Sequence, residues 1–307
     1  MNYTLHQLQV FLKVTQLKSI TKASEELFLT QPAVSIQLKN FQEQFEIPLT
    51  EIIGRKLFVT DFGKEIAIAA ENILNEVYAI NYKTMAYKGQ MSGRLKIAIV
   101  STAKYIMPFF LSDFMKNNDA VDFVLDVTNK SMVLESLEKN EIDFAMVSVL
   151  PTHLQIEKMD LMPSKLYLIG NTKIIDDSKI ATNAIFEDLP LIYRENGSGT
   201  RYVMEQFLKN DNIIVRKKME LTSNEAVKQA VLAGLGYSIM PIIGIKNELQ
   251  NGELHIIKVE KFPIVSNWYL IWLKNKKFSP LATNYLSFIE IHKQQIIENN
   301  FAWVDKY

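Results

Sequence analysis

The stretch from Ser19 to Phe41, SITKASEELFLTQPAVSIQLKNF, leaves the chain few folds. Pro32 is excluded from a helix interior or a central strand, yet it is at home in the first turn of a helix. Thr30 stands just before it, where a hydroxyl can accept a free amide as an N-cap. Val34, Leu38, Phe41 and Phe45 then recur at helical spacing and give that helix one apolar face. The opposite face carries Pro32, Ser35, Ile36, Lys39 and Glu43. Upstream, Ile20 to Phe28 predicts a second short helix, capped by Ser19 or Thr21, with Leu29 as the corner. Neither helix can bury itself, so the stripe must dock on Ala23, Leu27 and an earlier helix. Paired helices with a corner occur in many α-rich domains. This pair leaves a small, mostly uncharged surface at a helix N-terminus, which is how a helix-turn-helix presents itself to a major groove.

The literal string narrows the choice. Ala23, Leu27, Phe28 and Thr30-Gln31-Pro32-Ala33-Val34-Ser35 resemble the N-terminal signature of LysR-type transcriptional regulators, and the likeness continues through Gly54-Arg55, Thr60 and Gly63 to about residue 295. It implies DNA contacts from Thr30, Gln31, Pro32, Ser35 and Lys39, with Arg55 and Lys56 as phosphate contacts near the tip of a two-stranded wing around Leu57-Phe58-Val59. Two departures stand out. The family usually has Phe-Glu-Arg where this chain has Thr50-Glu51-Ile52, and a basic residue common at the position of Ile36 is absent.

Charge adds little to this. Lysine plus arginine equals aspartate plus glutamate, 34 each. In residues 1–60, Lys13, Lys18, Lys22, Lys39, Arg55 and Lys56 barely exceed Glu25, Glu26, Glu43, Glu46 and Glu51. The motif, not the charge, points to nucleic acid. The apolar fraction of 48% in 307 residues supports two or three cored domains. With no cysteine there is no disulfide, thiolate metal site or cysteine nucleophile. His6, His153, His255 and His292 lack ligand spacing, so no metal and no cofactor are expected. No apolar run spans a bilayer and the N-terminus lacks signal-peptide features, so the expectation is a cytoplasmic protein without a membrane partner.

Leu5, Leu8, Phe11, Leu12 and Thr15 mark a first helix. From Phe62 to about Gln90 there is no proline, and Ile66, Ala70, Ile73, Val77, Ile80, Thr84 and Tyr87 alternate by four and three. Such a seam, with Ile66, Ile73, Val77 and Ile80 as its apolar members, predicts a long dimerising helix. After Ser92-Gly93, strands alternate with helices: Arg94–Val100, Tyr105–Lys116, Val121–Val127, Ser131–Asn140 and Ile142–Val149. That alternation predicts a parallel sheet covered on both faces. A second unit starts near Leu161–Lys165, and the chain returns to the first through WYLIWL from Trp268, ending on a helix over Pro280–Glu298. The expected architecture is α+β and multi-domain. A winged helix-turn-helix covers 1–60 and a linker helix 61–92, and of the two α/β lobes the first takes 93–163 and 268–307, the second 164–267. Lobes of this kind match the family's effector domain and resemble periplasmic solute-binding proteins.

Ligands of open α/β sheets bind at the carboxyl ends of strands, where helix N-termini attract anions. Ser101 and Thr102, Thr128, Ser148, Arg194, Ser198 and Asn224 all lie at such ends, so a small anion, a carboxylate or phosphate metabolite, is the expected ligand. Gly197-Ser198-Gly199-Thr200 is no nucleotide loop, because no Gly-Lys-Ser/Thr follows. No Ser-His-Asp set or carboxylate pair emerges, so no catalytic residue is assigned and no enzyme is expected. The resemblance implies a homodimer or homotetramer, built as a dimer of dimers, that binds double-stranded promoter DNA under control of the metabolite, with RNA polymerase as a further candidate partner. Asp126-Val127-Thr128-Asn129-Lys130, Leu137 and Asn140-Glu141 resemble the branch of the family that regulates carbon fixation. The competing reading is a solute-binding protein whose N-terminal helices only mediate assembly.

Overall fold

The computed structural model describes residues 3–54, 56–87, 91–172 and 180–307, in two compact units, 1–90 and 91–307. In the first unit α1 (Leu5–Leu17) opens on a capping box: the Gln7 N–H donates to Thr4 Oγ1 at 3.2 Å and the Thr4 N–H to Gln7 Oε1 at 2.8 Å. α2 (Ile20–Glu26) is capped by Ser19, and α3 (Gln31–Gln42) by Thr30 with Pro32 in its first turn. α2 stops two residues short of the expected Phe28, because Phe28 takes a left-handed φ of 54° and makes the corner. Phe11 and Val14 of α1, Ala23 of α2, and Val34, Leu38 and Phe41 of α3 close one small core with Leu49.

The wing is β1 (Thr50–Ile53) paired antiparallel with β2 (Lys56–Val59), Ile53 facing Lys56. Thr60 then ties the wing to α4 (Asp61–Tyr87): its hydroxyl donates to the Pro48 carbonyl at 2.7 Å and accepts from the Gly63 N–H at 2.9 Å. Gly63 has to be glycine, since a Cβ there would lie 2.0 Å from the Leu49 carbonyl oxygen. The expected dimer seam is divided by this packing. Ile66 lies against the core of its own unit with Ala70 and Leu74, because α1 covers the first turns of α4. Ile73 and Ile80 face solvent and Val77 is half-buried. Ile66 is thus half-buried on its own unit, while the exposed part of the stripe begins at Ile73.

The second unit runs β3 (Gly93–Val100), a 3₁₀ turn Ser101–Tyr105, α5 (Met107–Lys116), β4 (Val121–Thr128), α6 (Lys130–Glu138), β5 (Phe144–Val147) and β6 (Ile156–Gly170). It continues with α7 (Ile185–Asp188), β7 (Pro190–Arg194), α8 (Gly199–Asn210), β8 (Arg216–Leu221), α9 (Asn224–Leu232), β9 (Ser238–Pro241) and α10 (Lys246–Gln250). β10 (His255–Ile257), β11 (Ile264–Leu273) and α11 (Pro280–Phe301) complete it. The main sheet has the order β10-β6-β11-β5-β3-β4, with β9 also on β6. β3 pairs parallel with β4 and β5, but β11 returns antiparallel to β5 and β6. The sheet is mixed, not parallel, because strand direction is set by the returning chain and leaves no mark in the apolar pattern. β6 and β11 pair along their length, Leu166 against Ile264 at one end and Ile156 against Leu273 at the other. β7 and β8 form a separate parallel pair in the second lobe. One core, built on β3, β5, α5 and α11, continues from the first lobe into the second through Ile192, Val227, Val231 and Met240, and a separate one around Phe186, Leu191 and Met204 lies within the second.

Candidate functional site

Five strand or turn ends meet between the lobes. Val100, Ser101 and Thr102 leave β3, Asn129 and Lys130 leave β4, and Ser148 follows β5. From the second lobe come Arg194 at the end of β7, then Ser198, Gly199 and Thr200 at the start of α8. They enclose a space of about 210 Å³, counting its open mouth. The lobes touch around it. Gly197, at φ 84°, lies so close to α6 that a Cβ would come within 2.6 Å of Ser131 Oγ, and one on Gly199 would sit 3.5 Å from Ser148 Oγ. A side chain at 197 would push the second lobe off the first.

Two helices point their first turns at this space. Asn129 caps α6, accepting from the Met132 N–H at 3.0 Å, and Ser198 caps α8, accepting from the Arg201 N–H at 3.4 Å. The remaining amides of each first turn carry the partial positive charge that favours an anion. Arg194, only 5% exposed, spends its guanidinium on Glu195 through two bonds of 2.8 and 2.9 Å. Lys130 differs. It has no carboxylate partner among the described residues, its ammonium lies 5.1 Å from the centre of the Tyr202 ring, and burial pushes its pKa below the usual lysine value. The cavity thus holds one cation already neutralised and one that is not.

Of the residues expected from sequence, Ser101, Thr102, Ser148, Arg194 and Ser198 line the cavity. Thr128 does not: it is still strand, in register with Val100, and the chain reaches the cavity only at Asn129 and Lys130. Asn224 does not either. It is 1% exposed and packed where a Cβ on Gly244 would come 2.8 Å from its Nδ2, close to the Tyr105 ring. Lys104 lies over Tyr105 and not in the cleft. Lys130 went unassigned in the sequence, where nothing local sets it apart from a lysine at any helix start, and Thr200 entered only as part of the strand-end turn Asn196–Thr200.

In the first unit Thr30, Gln31, Pro32, Ser35 and Lys39 are all exposed on the outward face of α3. The Thr30 hydroxyl is occupied as the cap, and Lys39 stands 3.7 Å from Glu43 in an exposed pair. Lys56 is exposed on the wing, while Arg55 lies outside the described residues. Among the described residues no group of histidine or carboxylate side chains could hold a metal ion, and no helix is long and apolar enough to cross a membrane.

Comparison with known proteins bears on both sites. Residues 5–64 match the bacterial regulatory helix-turn-helix protein model of the lysR family, and residues 88–293 match the LysR substrate binding domain. The HTH-type transcriptional activator CmpR of Synechocystis is 35% identical over 297 residues, 96% of this chain and 97% of that one. A RuBisCO operon transcriptional regulator of Acidithiobacillus ferrooxidans is 33% identical over 93% of each chain. Among solved structures, the regulatory domain of Synechocystis CcmR in complex with 2-PG superposes with a TM-score of 0.64 at 29% identity, over 66% of this chain and 98% of that one. A full-length OxyR variant from Pseudomonas aeruginosa shares the fold, with a TM-score of 0.71 at 16% identity over 97% of this chain and 95% of that one.

Proposed function

This chain belongs to the LysR family of DNA-binding transcriptional regulators, in its carbon-fixation branch, and from that premise we propose that its cleft senses a small phosphorylated carboxylate of the size of 2-phosphoglycolate. The observation that carries the reading is a cation left unneutralised in a cleft lined by hydroxyls and helix N-termini. The lining is polar and drawn from both lobes, which suits a small anion with more than one charged group. Lys130 supplies the charge, Ser101, Thr102, Ser148, Ser198 and Thr200 supply neutral donors, and Arg194 is held in place by Glu195. A dianion seated there draws on Lys130 and on the first turns of α6 and α8 together.

The DNA end of the reading assigns the outward face of α3 to the major groove, through Thr30, Gln31, Pro32, Ser35 and Lys39, and Arg55 and Lys56 of the wing to phosphates. Ile73 and Ile80 of α4, left exposed by their own unit, pair two chains, and two such pairs make the tetramer. The protein acts in the cytoplasm by binding, without catalysis, and reaches RNA polymerase from the promoter. The solute-binding alternative loses its ground, since its assembly helices are those matched to a helix-turn-helix.

Calorimetry of the full chain against 2-phosphoglycolate, glycolate and inorganic phosphate tests the cleft. The acid that carries both a carboxylate and a phosphate should bind tightest, and Lys130→Met should weaken it at least tenfold while Lys130→Arg retains most of the affinity. Equal binding of all three, or indifference to Lys130→Met, would remove this ligand class.

A further inference from the structure

The outward face of α3 carries a feature that neither its cap nor its charges account for. With Val34, Leu38 and Phe41 buried, a helical step of about 100° per residue puts the opposite direction along Pro32, Ile36 and Glu43. Ile36 stands at the centre of that face, one turn after Pro32, and is 56% exposed. An exposed isoleucine alone is ordinary. This one occupies the middle of a surface whose neighbours, Ser35 and Lys39, are assigned to a groove. Isoleucine offers no donor or acceptor to a base edge, and the apolar group that the major groove presents is the 5-methyl of thymine.

We infer that Ile36 reads a thymine methyl in each half-site, so that one base of the operator is specified by apolar contact. The inference rests on the reading of α3 as the groove-facing helix. Its weak cation supply fits: Lys39 is drawn to Glu43 at 3.7 Å, and the position after Ser35 holds no charge. Contact with a methyl contributes recognition that salt does not screen, in contrast to phosphate contacts.

Operators enriched from random duplex DNA by the full-length protein provide the test, with each thymine of the enriched half-site replaced in turn by deoxyuridine. At one thymine per half-site, loss of the methyl should weaken the wild type about fourfold, the weight of one buried methyl group. The same change should leave Ile36→Ala unaffected, because that variant has already lost the contact. Ile36→Arg should shift the preferred base there from thymine to guanine and steepen the dependence on salt. Equal loss by wild type and Ile36→Ala at every thymine, or no loss at any, overturns the inference. Ser35→Glu, a charge set against the phosphates, separates the two levels: if it abolishes binding, Ile36 alone is removed, and if it binds like wild type, α3 itself is not in the groove.

Discussion

The Tyr105 hydroxyl donates to Glu225 at 3.0 Å, fastening the 3₁₀ turn of the first lobe to the first turn of α9 in the second. Glu225 also meets Lys228 at 3.0 Å, and Lys228 meets Glu248 at 2.7 Å, so the bond is anchored in a small charged cluster. Burial first, and then the Glu225 hydrogen bond and charge, push the Tyr105 pKa up to about 12. A phenol whose folded pKa exceeds its unfolded value of 10.0 stabilises the fold fully below that pH, and the contribution fades as pH rises through about 12. Melting temperatures of wild type should therefore fall more steeply over this window than those of Tyr105→Phe. Parallel curves for the two would mean the bond does not hold in solution.

Thr102 is 4% exposed and lines the cleft. Thr102→Val keeps the shape and removes the donor, and should cost ~1–3 kcal/mol of ligand affinity by leaving a buried acceptor unpaired. Binding to DNA without ligand should be unchanged in a mobility-shift assay. An unaltered ligand affinity by calorimetry would take Thr102 out of the contact set.

Ile73 and Ile66 lie on one helix with opposite fates. Ile73→Asp puts a charge on the exposed side of α4 and should yield a smaller particle by light scattering, with the melting temperature kept. Ile66→Asp puts the charge against the core of the first unit and should lower stability by at least ~2 kcal/mol. If Ile73→Asp leaves the mass as in wild type, α4 does not pair chains through this side.

Phe28 is 94% exposed at φ 54°, a backbone region that costs a side-chain-bearing residue about 1–2 kcal/mol. Phe28→Gly removes that strain and loses no packing, so urea denaturation should show a gain of about 0.5–1 kcal/mol after the entropy of the unfolded glycine is counted. A loss of stability instead would show the ring engaged within the unit.

How much of this was legible in the residues depends on how local each feature is. The α2–α3 corner could be read because capping threonine, first-turn proline and apolar stripe all act within a few residues. The strand-end hydroxyls at Ser101, Thr102, Ser148 and Ser198 could be read because alternation fixes where strands stop. Lys130 could not, since a lysine opening a helix looks the same whether it meets solvent or a facing lobe. Glu195, which occupies the Arg194 guanidinium, was likewise silent. Ile66 and Ile73 share one heptad stripe, and only the position of α1 decides which of them is covered.

The long pairing of β6 with β11 has a mechanical consequence. These two strands run side by side from one expected lobe into the other, so the beam they form is the connection through which the lobes are held. The beam has one soft joint: the register slips between Trp268 and Tyr269, next to the pair Pro163 and Asn267, where the expected lobe boundaries fall. A register shift is where a paired ribbon bends and twists most easily, so any change in the angle between the two lobes would be taken up at Trp268 and Tyr269 and not along the regular ladder on either side.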